Sequence, residues 1–264
     1  MHLEALVAHS AISEVWRARS ATGQVLALKR FVTSAVAASQ AHWLLEREAL
    51  LLSRLAHPAI VGTHGVVMPG NVIEPNGARS DRSGLALEYL GGGDLVALAG
   101  CQPRDWVAAA RDVLDAVAHL HSAGFVHGDV KARNAVLASD GRAKLIDFSS
   151  CLPRGAVCRT PLGTASQQRV RHAGHVVCED DDVFACAALV FEMLGGYPPF
   201  ASERARRALE PVALPAPLAD VDRSIDALVE IVCGMLRSAS LLGSAELAAL
   251  ATALELVAQQ SARS

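Results

Sequence analysis

The feature that most constrains the fold is a change of pattern at the glycine run Gly91-Gly92-Gly93. Before it, residues 12–19 and 25–32 are rich in β-branched and apolar side chains on either side of a turn-like segment, as in a hairpin. After it, residues 104–122 repeat apolar side chains at the spacing of an amphipathic helix. Strands first and helices later, with a glycine-rich joint between them, predict two lobes of the α+β class.

The same patterns predict the other elements. Apolar residues at helical spacing predict a helix over 40–56, which His57-Pro58 ends because the residue before proline avoids the α region. We expect apolar strands at 60–68 and 85–90, joined by an exposed loop over 69–84. Three more helices are predicted in the second half, over residues 182–195, 224–236 and 244–259.

Composition favours a folded chain in a reducing compartment. Hydrophobic residues make up 52% and charged residues 19% of the 264 residues, which excludes a disordered chain. The 24 basic and 27 acidic side chains give a formal charge of -3, so nothing argues electrostatically for a nucleic-acid partner. No apolar run reaches the roughly 20 residues that cross a bilayer, and the six cysteines form no C-x-x-C pair. We therefore expect a cytoplasmic protein with free thiols, no secretory signal and no membrane insertion.

Two short stretches carry the residues with chemical potential. In the first, Asp129 is followed by Lys131 and Asn134 in a loop flanked by apolar residues. The second is an apolar strand-like run that ends in Asp147-Phe148. Amide and carboxylate oxygens suit Mg²⁺, so Asn134 and Asp147 are candidate metal ligands. Asp129 is then left to act as a base, and Lys131 can neutralise a phosphoryl group.

These stretches resemble motifs of the protein-kinase family. Residues 127–134 are similar to its catalytic loop, and Asp147-Phe148-Ser149 to its metal-binding triplet. Four further segments match in the family's order. Residues 26–29 resemble the third-strand lysine motif, and residues 47–51 resemble the helix that carries the lysine's glutamate partner. Residues 87–95 resemble the hinge, and residues 182–200 resemble the central C-lobe helix and its exit. The resemblance implies one kinase-like domain over 1–264, with a small, mainly β N-lobe at 1–90 and the hinge and larger helical C-lobe at 91–264.

The resemblance also implies a role for each matching residue. Lys29 would hold the α- and β-phosphates of ATP and pair with Glu48. The two candidate ligands would hold Mg²⁺, Asp129 would accept the proton of the substrate hydroxyl, and Lys131 would stabilise the transferred group. Asp182 would brace the catalytic loop from below. Further nucleotide contacts would come from groups around the adenine ring and from the hinge, namely Val15, Ala27, Leu87, Glu88, Leu90, Asp94 and Val136.

The chain departs from the family in its phosphate-covering loop and its catalytic loop. Ala8, Ser10 and Ser13 stand where the family has three glycines. Glycine tolerates positive φ, at which another residue costs roughly 1–2 kcal/mol, so we expect weak or unusual ATP binding with a serine hydroxyl donating to phosphate. Gly128 replaces the arginine that receives an activation-loop phosphate, which implies activity without such phosphorylation.

The family's A-P-E motif is also missing. Residues 165–168 occupy its expected place, and Leu242-Gly243-Ser244 occupies the place of the arginine that pairs with it. Loss of both partners of a buried ion pair can leave the stability of the fold nearly unchanged, whereas loss of one partner leaves an unpaired buried charge and lowers stability by about 3–5 kcal/mol. We therefore expect a divergent but folded C-lobe with an altered platform for the substrate.

Each motif also has a plain structural interpretation. A lone lysine at the end of a strand is usually a surface residue, and Asp147 alone is consistent with a cap at a strand end. The spacing His172-x-x-His175-x-x-Cys178 is consistent with a zinc site, but such sites use four ligands, and a solvated polar loop is the favoured interpretation.

Taken together, the motifs predict ATP- and Mg²⁺-dependent phosphoryl transfer to Ser or Thr hydroxyls of a protein substrate. Lys131 favours this acceptor class, as does the resemblance of Gly163-Thr164 to the segment that faces such an acceptor, although residues 132–134 resemble tyrosine kinases. One alternative is a pseudokinase that binds nucleotide or acts as a scaffold, which the lost glycines favour and the retained polar residues oppose. A second is a small-molecule kinase with the same fold.

Overall fold

The computed structural model describes residues 1–32, 37–158, 169–171, 174–214 and 223–262. The chain forms two compact units, Met1–Gly91 and Gly92–Ser264. The first contains an antiparallel sheet and one helix, and the second is mainly helical, which confirms the predicted α+β class.

The first unit is a five-stranded sheet with the strand order β1-β2-β3-β5-β4. Its elements are β1 His2–His9, β2 Ser13–Arg19, β3 Val25–Phe31, helix α1 Ala38–Leu52, β4 Thr63–Val67 and β5 Gly84–Glu88. Leu26 and Leu28 of β3 are buried in one core cluster with Leu3, Ala18 and Ala86. Because side chains alternate along a strand, this burial places Ala27 and Lys29 on the opposite face of β3.

Two features of the first unit differ from the sequence prediction. Strand β1 was not predicted, because most of its side chains are exposed and its pairing with β2 is interrupted by bulges, so no clean alternation marks it. The expected exposed loop over 69–84 is wrong in part. Val72 is fully buried, Leu3 donates a backbone hydrogen bond to Ile73, and the carboxylate of Glu74 pairs with buried Arg30 at 2.6 Å.

The second unit is built around a central buried helix. Its helices are α2 Pro103–Ser122, α3 Asp180–Gly195, α4 Glu203–Ala208, α5 Arg223–Arg237 and α6 Ser244–Ser261. The side chains of α3 are buried continuously over 180–191, as expected for a helix that is apolar on all sides. The predictions of α2, α3, α5 and α6 are therefore confirmed.

Two short antiparallel strand pairs complete the second unit. Strand β6 Phe125–Val126 pairs with β9 Leu152–Pro153, and β7 Ala135–Leu137 pairs with β8 Ala143–Leu145. The loop between β6 and β7 and the loop after β8 carry the chemistry-bearing residues described below. All six cysteines are free thiols, as expected. Among the helices of the described ranges, none combines the length and the apolar character required to cross a bilayer.

Candidate active site

In the first unit, Lys29 and Glu48 form a buried ion pair. The Nζ atom of Lys29 donates to Glu48 Oε1 at 2.9 Å and to Oε2 at 2.8 Å. Only 5% of the lysine side chain and 2% of the glutamate side chain are exposed. Removal of one partner of such a pair leaves an uncompensated buried charge, so the two residues fix α1 against β3. The structure thus brings together the lysine and glutamate that the sequence singled out.

The loop between β1 and β2 is closed by its own serines. Ser10 Oγ accepts from the backbone N–H groups of Ile12 and Ser13 at 3.3 and 3.0 Å, and it lies 3.1 Å from Ser13 Oγ. The backbone N–H of Ser10 donates to the carbonyl of Ser13 at 2.8 Å. Three loop N–H groups that could face a phosphate are therefore bonded within the loop. Ala8 pairs with Val15 across the ladder that leads into it.

The positions expected around an adenine ring lie on neighbouring strands of the first unit. Ala27 pairs with Leu87, and Val15 with Lys29. Glu88 is held at the end of β5, where its backbone N–H donates to Gly62 O at 3.0 Å and its carboxylate accepts from Gly62 N at 2.7 Å. Leu90 follows two residues later.

Two expected nucleotide contacts belong to the second unit. Asp94 forms a bridge with Val136 of β7, and its carboxylate caps a short 3₁₀ helix by accepting from Val96 N at 3.2 Å. This cap gives Asp94 a structural role in addition to the one that the sequence suggested.

In the second unit, Asp129, Lys131 and Asn134 form one hydrogen-bonded group. The Oδ2 atom of Asp129 accepts from Lys131 Nζ at 2.7 Å and from Asn134 Nδ2 at 2.8 Å. The same amide nitrogen donates to the carbonyl of Asp129 at 2.9 Å, and both Asp129 and Asn134 are buried. The loop therefore fixes a carboxylate beside an ammonium group, with the aspartate side chain 12% exposed.

Asp147 lies at the same end of the β7–β8 ladder as Asn134. Ala135 pairs with Leu145, and the next residue, Ile146, donates a backbone hydrogen bond to Asn134 O at 2.8 Å. Asp147 has φ 61°, in the left-handed region that aspartate tolerates better than most residues. Its Oδ1 atom accepts from the hydroxyl of Ser149 at 2.8 Å, so the serine that replaces the family's glycine orients this carboxylate.

The donor set fits Mg²⁺. Asn134 uses its amide nitrogen on Asp129, which leaves its amide oxygen as the atom to offer a metal, and Asp147 offers a carboxylate. Mg²⁺ is commonly held by one or two protein oxygens together with substrate phosphates, so two oxygen ligands suffice. Within the described ranges, no group of three or more His, Cys, Asp or Glu residues has the arrangement of a metal site.

Asp182 braces the loop that carries Asp129, as the sequence predicts. Its fully buried carboxylate accepts from the backbone N–H of His127 at 2.7 Å and of Gly128 at 2.8 Å. Gly128 has φ 77°, a conformation that costs glycine little and another residue roughly 1–2 kcal/mol. His127 packs edge-on against Phe148, with ring centroids 4.9 Å apart, so its role is structural.

One member of this brace escaped the sequence analysis. His121 Nε2 lies 3.0 Å from Asp182 Oδ2, and the imidazole is buried. The sequence gives only a weak indication of this role. His121 lies seven positions after Leu114, which places it on the buried face of α2 but marks no polar partner.

Replacement of Asp182 with alanine should lower the free energy of unfolding by about 3–5 kcal/mol, because two buried N–H groups and a buried imidazole lose their acceptor. Urea denaturation of the purified chain measures this change. Asp115→Ala, on the exposed side of α2, is the matched control and should change stability by less than about 0.5 kcal/mol. A loss below about 1 kcal/mol in the Asp182→Ala variant would contradict the assigned brace.

The zinc interpretation is not supported by the residues that can be described. His175 Nε2 lies 3.3 Å from Asp181 Oδ2, and the backbone N–H of Cys178 donates to the same oxygen at 3.1 Å. Partial burial, and then the nearby Asp181 charge, raise the pKa of the Cys178 thiol, which disfavours the thiolate that a metal requires. His172, the Gly163-Thr164 segment and residues 165–168 lie outside the described residues.

Comparison with known proteins decides the family. The sequence profile described as "Protein kinase domain" matches residues 7–231. The chain belongs to the protein kinase domain family. The recognised motifs, the sheet-plus-helix first unit and the helical second unit all agree with this assignment.

Several curated kinases are similar to this chain. It is 30% identical over 204 residues to serine/threonine-protein kinase PAK 1 of Mus musculus, covering 73% of this chain and 34% of that protein. It is 29% identical over 200 residues to serine/threonine-protein kinase PAK mbt of Drosophila melanogaster, covering 71% and 28% respectively. For mitogen-activated protein kinase kinase kinase 17 of Arabidopsis thaliana, the identity is 31% over 189 residues, covering 68% and 49%. The chain thus spans between about a quarter and a half of these relatives.

Proposed function

We propose that this chain transfers the γ-phosphoryl group of ATP to Ser or Thr hydroxyls of a protein substrate with the help of Mg²⁺. The observation that carries the proposal is the bonded group of Asp129, Lys131 and Asn134, in which one carboxylate oxygen meets both an ammonium and an amide. A structural loop has no need to bury this combination. The names of the similar kinases support the Ser/Thr class, and Lys131 supports it independently.

Each residue has a physical task in this reaction. Asp129 would accept the proton of the attacking hydroxyl and aim its oxygen, and Lys131 would neutralise charge on the transferred group. Asn134 and Asp147 would hold the metal, which when bound supplies charge neutralisation to the phosphates. Most of the acceleration would come from positioning and from fixed charges, since phosphoryl transfer demands little covalent chemistry of the protein.

The first unit would supply most of the nucleotide contacts, and Asp94 and Val136 of the second unit would supply the others. Lys29, held by Glu48 with nearly complete burial, would present its ammonium to the α- and β-phosphates. Ala27, Leu87 and the hinge backbone would surround the adenine ring. We further propose that residues 1–264 act as one catalytic domain in the cytoplasm.

The serine loop favours a second candidate, a pseudokinase that binds nucleotide without transferring phosphate. Three loop N–H groups are bonded to Ser10 Oγ and to Ser13 O, so they must break these bonds before they can cradle a phosphate. The retained Asp129 and Asp147 oppose this alternative, because a scaffold needs neither a base nor a metal ligand.

Two measurements on the purified chain separate the candidates. For a kinase, we expect incorporation of ³²P from γ-labelled ATP into myelin basic protein, and a rise in melting temperature with Mg-ATP that is absent with ATP and EDTA. A melting temperature that rises without ³²P incorporation would favour the pseudokinase. If the melting temperature does not rise and no ³²P is incorporated, both candidates are refuted.

A further inference from the structure

Three consecutive carboxylates at the start of α3 bind three different parts of the second unit. Asp182 holds the catalytic loop, as described above. Asp181 is bonded to Arg171, His175 and the backbone of Cys178, and Asp180 is bonded to Arg169, Arg171 and the connection between α5 and α6. All three aspartates are buried, so their charges must be compensated by these partners.

Arg169 makes the most extensive of these contacts. Its Nε lies 2.9 Å from Asp180 Oδ2, its Nη1 donates to Ser238 O at 2.6 Å, and its Nη2 donates to Ser240 O at 2.9 Å. The guanidinium carbon lies 4.7 Å from the centroid of the Phe184 ring. With 9% of its side chain exposed, the arginine ties residue 169 to α3 and to the α5–α6 connection at once.

Arg171 and a backbone amide complete the cluster. The Nε atom of Arg171 donates to Asp181 Oδ1 at 2.9 Å, and its Nη2 is bonded to Asp180. The backbone N–H of Leu242 donates to Asp180 Oδ1 at 2.6 Å. Asp180 is therefore shared by the two arginines and the α5–α6 connection, whereas Asp181 binds Arg171, His175 and the backbone of Cys178.

This cluster bears on the missing A-P-E motif. The sequence lacks both the glutamate of that motif and the arginine that pairs with it, which predicts a divergent but folded C-lobe with an altered platform for the substrate. The structure contains ion pairs of the opposite polarity, because the cations, Arg169 and Arg171, lie before α3 and the carboxylates lie on α3. The carboxylates of Asp180 and Asp181 and the backbone carbonyl groups of Ser238 and Ser240 accept hydrogen bonds from these arginines. The two carbonyl groups lie shortly before residues 242–244, which occupy the expected place of the family's arginine.

We propose that Arg169 and Arg171 are positioning residues for the protein acceptor. They anchor the chain immediately after residues 159–168, which include the Gly163-Thr164 pair that resembles the family's acceptor-facing segment. The anchor needs no phosphate, which agrees with the absence of an arginine at Gly128 to receive one. This inference rests on the proposed kinase activity. Arg169 and Arg171 would determine the affinity for the protein acceptor, and Asp129 and Asp147 would act in the chemical step.

The test compares Arg169→Gln with Arg111→Gln. The control removes another ion pair of the second unit, between Arg111 of α2 and Glu255 of α6. In Arg169→Gln we expect the KM for myelin basic protein to rise about tenfold, as when only a tenth of the molecules keep the competent arrangement. The KM for ATP and kcat should stay within about twofold of wild type, and Arg169→Lys, which keeps the charge, should recover part of the affinity.

Hydrogen exchange followed by mass spectrometry gives a readout that does not depend on activity. Peptides covering 174–178 and 238–243 should exchange faster in Arg169→Gln than in wild type, and should be unchanged in Arg111→Gln. If Arg169→Gln does not fold, Arg169→Lys carries both measurements.

Two outcomes would overturn the inference. One is an acceptor KM within about twofold of wild type, and the other is unchanged exchange in both peptides. A wild-type chain that transfers no phosphate would refute the proposed function instead. In that case, anisotropy with fluorescent myelin basic protein replaces the KM, and equal affinity of wild type and Arg169→Gln would also overturn the anchor's role.

Discussion

Replacement of Asp147 with asparagine is expected to lower phosphoryl transfer roughly 10³-fold or more, because the metal's charge neutralisation contributes several kcal/mol and each 1.36 kcal/mol is tenfold in rate. An asparagine keeps the shape of the side chain but loses the charge that would hold Mg²⁺. Ser149 can still donate to its amide oxygen, so the local fold should persist. The measurement is ³²P transfer to myelin basic protein at saturating Mg-ATP.

Asp140→Asn is the matched control for this experiment. Asp140 is an exposed aspartate in the turn between β7 and β8, where its carboxylate accepts from Arg142 N at 3.0 Å. Its replacement should leave transfer within about twofold of wild type, as expected of a surface substitution. Undiminished transfer by pure Asp147→Asn protein would reject the metal assignment.

Replacement of Asp129 with asparagine should reduce kcat roughly 10²–10⁴-fold, the range that general acid–base catalysis contributes. Lys131 and Asn134 would still meet an oxygen at this position, so the loop should keep its conformation. The KM for ATP should change little, because Asp129 is assigned to the acceptor hydroxyl. Steady-state kinetics with ATP and acceptor varied separately measures both quantities.

The same Asp140→Asn control applies to Asp129→Asn. A thermal melt of each variant separates loss of function from loss of fold. If Asp129→Asn kept more than about a tenth of the wild-type kcat, the aspartate would not be the base.

The sequence predicted the elements that have a strong local signal. Helix α2 follows directly from apolar spacing, and Leu26 and Leu28 alternate with Ala27 and Lys29 as a half-buried strand requires. Strand β1 has no such signal, since it is an edge strand with mostly exposed side chains. The burial of Val72 also escaped prediction, because turn-forming neighbours surround only two apolar residues, Val72 and Ile73.

The sequence indicated contacts between residues that lie close together in the chain, and distant contacts only where the family resemblance supplied both partners, as for Lys29 with Glu48 and Asp182 with the backbone of His127. Asp129, Lys131 and Asn134 lie within six positions, so their loop could be recognised. The hydrogen-bond partners of Arg169 are 11, 69 and 71 residues away, and no local pattern marks such pairs. In the serine loop, the bonds of Ser10 to its own loop could not be inferred from the sequence, since they depend on backbone conformation.

The three adjoining aspartates of α3 have a consequence for how the second unit opens. One helical turn holds the loop at His127 and Gly128, the two arginines Arg169 and Arg171, and the α5–α6 connection through buried charges. The arginines and the connection share Asp180, so neither can detach without disturbing a carboxylate that the other contacts, and Asp182 of the same turn holds the loop. Transient openings should therefore be collective, with all three regions exchanging their amides as a single cooperative block.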